Sequence, residues 1–280
     1  MALLPFNSQL LDAAGCPLSS LRAINRLGEH EKERIYSRLL PQRLRGLLQL
    51  KQNSLCNSDG RRLVTIIAPS GLPLVRIEAR SGTGDGVTVF FIELSDTQFH
   101  QMELSFCIIR DPNSPCYAVD VDEKGKNNWF ASQGRNIPEE IRAMQDGLFP
   151  NQTHHGLQLF ASFFPLLERF TDALGIQMIM GEPLSYDNAI RYEKYGFDYL
   201  RGKRLMLEID REFQPGGVYF RRLDGSSPFR MPGMERTVSG RSWAIHDGIM
   251  DEPWDDVQIY YMIGAPAAIN TFPGREAIKR

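Results

Sequence analysis

Apolar side chains recur at helical spacing in the N-terminal part of the chain. Residues 18–50 carry leucine or isoleucine at almost every third or fourth position, and Ser19 and Ser20 can cap the first turn. Gly28 and Pro41 interrupt this pattern, because glycine and proline disfavour the interior of a helix. The pattern therefore predicts two or three short helices rather than one long one.

From residue 63 the apolar period changes to two, which is typical of strands with one wet face. The glycine-rich segment 81–86 is followed by a strand pattern, whereas a phosphate-binding loop must open a helix, so we interpret it as a hairpin turn. Short turns between the segments favour antiparallel pairing. The predicted strands are 63–68, 74–80, 87–94, 102–110 and 117–122.

Helix and strand patterns alternate in the C-terminal half, and together with the strands above they predict an α/β fold. The polar residues 123–150 contain one short helix that opens at Pro138, and Gly175 closes the longest apolar helix. Residues 212–253 are rich in Pro, Gly and Arg and lack periodicity. The predicted elements are a helix over 156–174, a strand over 176–180, a helix over 187–195, strand structure from Phe197 through 205–209, and a strand over 256–263.

Composition and charge narrow the function classes. The chain has 280 residues, 42% of them hydrophobic, and a net charge of −2, which argues against a general nucleic-acid-binding protein. No apolar run approaches 18 residues, so we expect no membrane span. The four cysteines lie far apart without a CxxC pair, which predicts reduced thiols and a cytoplasmic location.

Two segments in the right order resemble the GCN5-related N-acetyltransferase (GNAT) family. Residues 148–159 read Leu-Phe-Pro-Asn-Gln-Thr-His-His-Gly-Leu-Gln-Leu, where the family has a loop that binds the pyrophosphate of coenzyme A. Residues 188–197 read Asn-Ala-Ile-Arg-Tyr-Glu-Lys-Tyr-Gly-Phe, which is similar to the family signature on the helix after the fifth strand. The resemblance implies a GNAT-like mixed, mostly antiparallel sheet flanked by helices, over residues 1–210. Residues 211–280 have little to compare with the family, and we expect them to form an irregular C-terminal extension that packs on this domain and can complete its sheet.

The resemblance also implies a set of site residues. Tyr192 aligns with the tyrosine that protonates the departing coenzyme A thiolate, and the acyl thioester would lie between splayed fourth and fifth strands. A base is needed for the incoming amine: Glu182, after the fifth strand, is our candidate, with Asp120, Asp122 or water as alternatives. The residues expected to bind the acyl-CoA donor are Gln152, Thr153, His154, His155, Gly156, Leu157 and Asn188.

Three positions depart from the family pattern. Thr153 replaces a Gln or Arg, Gln158 replaces a Gly or Ala, and Ser185 stands where the family asparagine is expected, with Asn188 nearer the tyrosine. A metal is not expected, because His154 and His155 are adjacent and their side chains diverge. The five arginines of the extension are interpreted as a solvated surface balanced by acidic residues rather than an anionic-substrate surface: Arg221, Arg222, Arg230, Arg236 and Arg241.

Three functions fit these observations. The first is an N-acyltransferase that moves an acyl group from acetyl-CoA or a longer acyl-CoA to a small-molecule amine. The second is a degenerate GNAT-like module that binds a ligand without catalysis, which the three departures favour. The third takes its acyl group from an acyl carrier protein and makes an N-acyl amino acid. The sequence leaves the acceptor open, and also whether residues 259–262 form a sheet edge, a homodimer interface or core.

Overall fold

The computed structural model describes residues 5, 8–82, 86–128 and 134–273, which divide into two compact units. The first unit comprises Met1–Asn113, Gly156–Gly181 and Met262–Gly264, and the second comprises Ser114–His155, Glu182–Tyr261 and Ala265–Arg280. The predicted boundary at residue 210 is a different division, between a GNAT-like domain and an extension, and it stays a prediction. No helix among the described residues is both long and apolar enough to cross a bilayer.

Short helices open the first unit, as predicted. Ser20 caps the first of them, since its hydroxyl accepts a hydrogen bond from the Ala23 amide at 3.1 Å. Gly28 and Pro41 are the N-cap residues of the next two α-helices, which confirms that they divide the helical stretch. The elements are α1 (Leu21–Ile24), α2 (Glu29–Tyr36), a 3₁₀ helix (Ser37–Leu39) and α3 (Gln42–Leu47).

Five strands form the sheet of the first unit. The first four pair in sequence order, each antiparallel to the next, and the fifth is parallel to the fourth. This mixed, mostly antiparallel arrangement confirms the α/β class and the first four predicted strands. Residues 83–85 of the predicted hairpin turn lie outside the described residues. The strands are β1 (Val64–Ile67), β2 (Leu74–Arg80), β3 (Thr88–Asp96), β4 (Met102–Ile109) and β5 (Met178–Gly181).

The long apolar helix, α5, spans Phe160–Ala173 and packs on one face of this sheet. Its Phe163 ring meets the Phe90 ring edge to face, with centroids 5.5 Å apart. The predicted start at Gly156 is wrong, because Gln158 has φ +55°, a left-handed conformation through which a right-handed helix cannot pass. Gly175 follows the helix with φ +72°, as predicted for its C-terminal end.

The predicted strand 117–122 is also wrong. This segment, in the second unit, makes only an isolated bridge between Val121 and Asn127. The alternation of apolar and polar residues in this segment comes from side-chain packing, because Tyr117 and Val119 are buried in a cluster with Leu148 and Trp243. The short helix predicted at Pro138 is confirmed as α4 (Ile137–Gln145).

The rest of the second unit contains more helix than the sequence predicts. Residues 205–209, predicted as strand, belong to α7, which buries Met206 and Ile209 on one face. The supposedly irregular segment 212–253 contains α9, in which residues 240–244 are all buried, so the helix lacks an apolar period. The elements after α4 and α5 are α6 (Tyr186–Glu193), β6 (Asp198–Arg201), α7 (Lys203–Glu212), α8 (Val218–Arg221), a 3₁₀ helix (Met234–Arg236), α9 (Val238–His246) and β7 (Gln258–Met262), with β6 and β7 antiparallel.

Candidate functional site

The pairing of β4 with β5 stops early in the first unit. The two strands pair only through Met102 with Ile179 and Glu103 with Met180, although β4 runs on to Ile109. Among the described residues no other strand pairs with this side of β4 beyond Glu103. Ile109 and Phe90 form a non-hydrogen-bonded pair of the antiparallel β3–β4 ladder. The amide and carbonyl of Ile109 therefore point away from β3. The side of β4 that faces β5 is therefore not paired with β5 beyond Glu103, and the Ile109 amide and carbonyl point toward this side.

The predicted donor-binding loop, residues 152–158, is divided between the two units, and each part is held by its own unit. In the second unit, Gln152 accepts a hydrogen bond from the Phe149 amide through its side-chain oxygen at 3.1 Å. Thr153 is buried, and its carbonyl accepts from the Tyr117 amide at 2.9 Å. The Nδ1 atom of the half-buried His154 lies 3.1 Å from the Thr153 hydroxyl.

The last part of this loop contains the exposed His155 and Gly156 and the half-buried Leu157. The amide of His155 donates to the Ser114 hydroxyl at 3.2 Å within the second unit. In the first unit, a Cβ added to Gly156 would lie 3.4 Å from the Ile109 carbonyl oxygen, which a side chain can tolerate. Gly156 precedes α5 without belonging to its first turn, so it does not present a helix N-terminus as the resemblance implies.

Tyr192 lies on α6 in the second unit and is half-buried. Its ring meets the Phe197 ring edge to face at 5.0 Å. Gly196 connects the two with φ +87°, and a Cβ there would approach Pro266 to 2.4 Å, so only glycine fits. Asn188 is half-buried one turn before Tyr192 on the same side of α6. The structure thus brings together the asparagine and the tyrosine of the second motif.

Glu193, in the same motif, has a structural role that sequence reasoning missed. Its buried carboxylate accepts hydrogen bonds from the Tyr199 hydroxyl at 2.6 Å and from the Thr271 amide at 3.2 Å. Burial raises the pKa of Tyr199 well above its usual range, and the negative charge of Glu193 raises it further. The glutamate therefore joins α6, β6 and the segment around Thr271. Thr271 is too distant in the sequence for any local pattern to reveal this pairing.

The candidate bases are ordinary surface carboxylates. Glu182 is exposed and accepts a hydrogen bond from the Gln258 amide group at 2.7 Å. Asp120 is exposed, and Asp122 accepts from the Lys124 and Lys126 amides, both at 2.9 Å, in a turn. Water is therefore at least as well supported as any of these carboxylates in the role of the base that deprotonates the amine.

No protein-family model, curated protein or solved structure matches this chain. Within the described ranges, no group of three or more His, Cys, Asp and Glu side chains could hold a metal ion. Support for a function therefore comes from the motifs and from the geometry of each unit.

A cavity that the sequence did not predict lies on the outward face of β2, β3 and β4. It has a volume of about 350 Å³. The register places side chains from three strands side by side there, with Glu93 opposite both Arg76 and Phe106. The alternation of β2 predicts a wet face, but not which residues meet on it. The lining residues of this sheet cavity are Arg76, Glu78, Thr88, Phe91, Glu93, Ser105, Phe106, Ile108 and Arg110.

Proposed function

We propose that the protein is an N-acyltransferase that moves an acyl group from acyl-CoA to a small-molecule amine. The observation that carries the proposal is the short parallel pairing of β4 with β5, which leaves the edge of β4 beyond Glu103 unpaired with β5. The family that the motifs resemble places its thioester between these two strands. The half-buried Tyr192 in its Tyr-Glu-Lys-Tyr-Gly-Phe segment is a second, independent support.

The proposed reaction is a direct transfer. The nitrogen of the neutral amine attacks the thioester carbonyl carbon, a C–N bond forms and the C–S bond breaks. The nitrogen loses a proton to water or to Glu182, and the coenzyme A sulfur takes one from Tyr192, because a phenol is protonated at neutral pH. The family that the motifs resemble stabilises the developing oxyanion with backbone amides, which is usually the largest catalytic contribution.

A second candidate is the degenerate module that binds a ligand without catalysis. The specific observation in its favour is that residues of the predicted donor loop have structural roles. The Thr153 carbonyl accepts a hydrogen bond from the Tyr117 amide, and Gln158 has a positive φ just before α5. A carrier-protein donor is the third candidate, since a carrier presents only the pantetheine arm and needs no diphosphate loop.

Calorimetric titration of the full chain with acetyl-CoA, longer acyl-CoAs and an acylated carrier protein separates the three functions. Micromolar binding of an acyl-CoA supports the proposal. Binding of the carrier alone supports the third candidate, and binding of no donor supports the second and contradicts the transferase. These titrations need no acceptor, so they can be made before the acceptor is identified.

Substitution of Tyr192 tests the proton donor. We expect Tyr192→Phe to lower turnover roughly 100-fold while acyl-CoA affinity changes little, because general acids contribute at least this much. Turnover is measured as coenzyme A released in the presence of an amine panel. Tyr195→Phe, on the segment that follows the same helix, is the matched control and should retain wild-type turnover. Unchanged turnover in Tyr192→Phe would remove the role assigned to this residue.

A further inference from the structure

The sheet cavity is an open depression on the wet face of the sheet and is not part of the core. Its volume is about 350 Å³. The core side chains of the same strands, such as Val75, Ile77 and Ile92, point to the opposite face and are fully buried. The outward side chains are therefore free to serve binding rather than folding.

The charges of the cavity are paired with one exception. Arg76 forms an ion pair with Glu93. Glu78 accepts hydrogen bonds from the Arg80 guanidinium at 2.8 Å and the Thr88 hydroxyl at 2.7 Å. Burial opposes ionisation of Glu78, but these hydrogen bonds and the charge of Arg80 outweigh it and lower its pKa.

Arg110 is the exception. Among the described residues, no carboxylate lies within ion-pair distance of its guanidinium and no side-chain hydrogen bond involves it. Glu93 pairs with Arg76, and Glu78 pairs with Arg80 outside the lining, so neither carboxylate of the cavity is paired with Arg110. Its planar, bidentate donors match a carboxylate.

An apolar surface lies beside this charge. The half-buried Phe91 and Phe106 rings meet edge to face at 6.0 Å, and Ile108 lines the same cavity. Apolar side chains grouped on the wet face of a sheet mark a binding surface more often than isolated ones do. The cavity therefore offers an anion site next to an apolar site.

The cavity also shares a strand with the edge on which the proposed function depends. Ser105, Phe106, Ile108 and Arg110 belong to β4, or directly follow it, beyond its last pairing with β5. The amides of this stretch include that of Ile109, which points away from β3. A ligand in the cavity is therefore bound by the same part of β4 that would hold the thioester carbonyl.

We infer that the sheet cavity binds the acceptor, and that the acceptor is a primary amine with a carboxylate and an apolar group, as in an apolar amino acid. Arg110 binds the carboxylate, while Phe91, Phe106 and Ile108 contact the apolar group. The amine identity rests on the proposed function; the carboxylate and the apolar group rest on the cavity itself.

Three probes that differ by one group each test this assignment by calorimetric titration of the full chain: phenylalanine, 3-phenylpropionate and 2-phenylethylamine. We expect the two carboxylates to bind at least about 10-fold more tightly than the amine that lacks one, as a charge-assisted hydrogen bond provides. Arg110→Met should weaken both carboxylates by roughly the same factor and leave 2-phenylethylamine unchanged. Arg43→Met, at an exposed arginine on α3, is the matched control and should bind like the wild type.

The outcomes separate this inference from the proposed function. Equal affinity for all three probes, no binding of any probe, or wild-type affinity in Arg110→Met would overturn the assignment of the cavity. Arg110-dependent carboxylate binding without binding of any acyl donor would keep the cavity as a carboxylate site and overturn the transferase. Acyl transfer to phenylalanine that Arg110→Met lowers at least about 10-fold in kcat/KM supports both.

Discussion

Two arginines, one in each unit, show the difference between a charge that builds the fold and a charge left for a ligand. Arg241 of α9 is 3% exposed; it donates to the Asp210 carboxylate and to the Glu235 carbonyl, both at 2.7 Å. Its guanidinium also lies 5.2 Å from the Phe213 ring centroid and 4.5 Å from that of Phe272. Arg110 lines a cavity together with Phe91 and Phe106, but it has no carboxylate partner in the part of the chain that the structure describes. The arginine that we assign to ligand binding thus differs from Arg241 in having no carboxylate partner among the described residues.

A second cluster of the second unit follows the pattern of Arg241. Arg135 donates to both Glu140 and Asp247, and Asp247 also accepts from Ser227 at 2.7 Å and Arg230 at 2.8 Å. The ion pair of Arg230 with Asp247 agrees with the predicted balance by acidic residues, whereas the buried Arg241 contradicts the interpretation of the extension as a solvated surface. Their charges are compensated internally, which leaves little electrostatic attraction for an outside anion.

The largest effect is expected from Arg241→Met. This change keeps an unbranched apolar stem but leaves Asp210 without its cation, so it should lower the free energy of unfolding by about 3 kcal/mol. Urea unfolding followed by circular dichroism measures it. Arg236→Met is the control: that side chain is 82% exposed and pairs with Glu235, so its loss should cost less than about 0.5 kcal/mol. An equal loss in the free energy of unfolding for the two substitutions would show that the buried Arg241 does not stabilise the fold more than an exposed arginine does.

An intermediate effect is expected from Glu140→Gln. The buried Glu140 carboxylate accepts from Arg135 at 3.0 Å and lies 3.3 Å from His246 Nε2, so its loss should cost about 2 kcal/mol at pH 7. Burial opposes ionisation, but the hydrogen bonds from His246 and Arg135 outweigh it, and the pKa of Glu140 lies below its usual value. The unfolded chain therefore binds the proton more tightly than the folded protein does.

The sign of the pH dependence follows from this lowered pKa. The stabilisation by Glu140 is complete above the unfolded pKa of about 4.3 and is lost as the pH falls through the folded pKa. Glu140→Gln lacks this contribution, so its stability should fall less steeply than that of the wild type between about pH 5.5 and pH 3.5. Urea midpoints across this range measure the slope, with Glu123→Gln, at an exposed carboxylate, as control. Identical slopes for Glu140→Gln and the wild type would show that the carboxylate does not act through its charge.

The strands of the first unit could be predicted from the sequence because each has one buried face and turn residues at its ends. The same reasoning failed where burial has another origin. Tyr117 and Val119 alternate because they pack on the Trp243 cluster, while the Tyr117 amide is paired with Thr153. Residues 205–209 form a short apolar run whose length cannot distinguish strand from helix.

The site could be predicted only where one segment carries it. The predicted helix over 187–195 correctly places Tyr192 on a helix, and the glycine before Phe197 is required by the positive φ of Gly196. The sheet cavity was missed because its side chains come from three strands, and a shift of one residue in register would turn each strand's set to the other face. Register depends on the whole sheet, so Arg110 gave no local signal.

The smallest effect is expected from Arg110→Met in the absence of ligand. Without an ion pair to lose, the folded protein should change its free energy of unfolding by less than about 0.5 kcal/mol, as for other surface positions. The same urea unfolding measures it beside Arg241→Met. A loss above about 1 kcal/mol would mean that the aliphatic stem of Arg110 covers Phe91 or Phe106 and serves the fold. A neutral effect on stability with a loss of carboxylate binding would instead assign this arginine to the ligand alone.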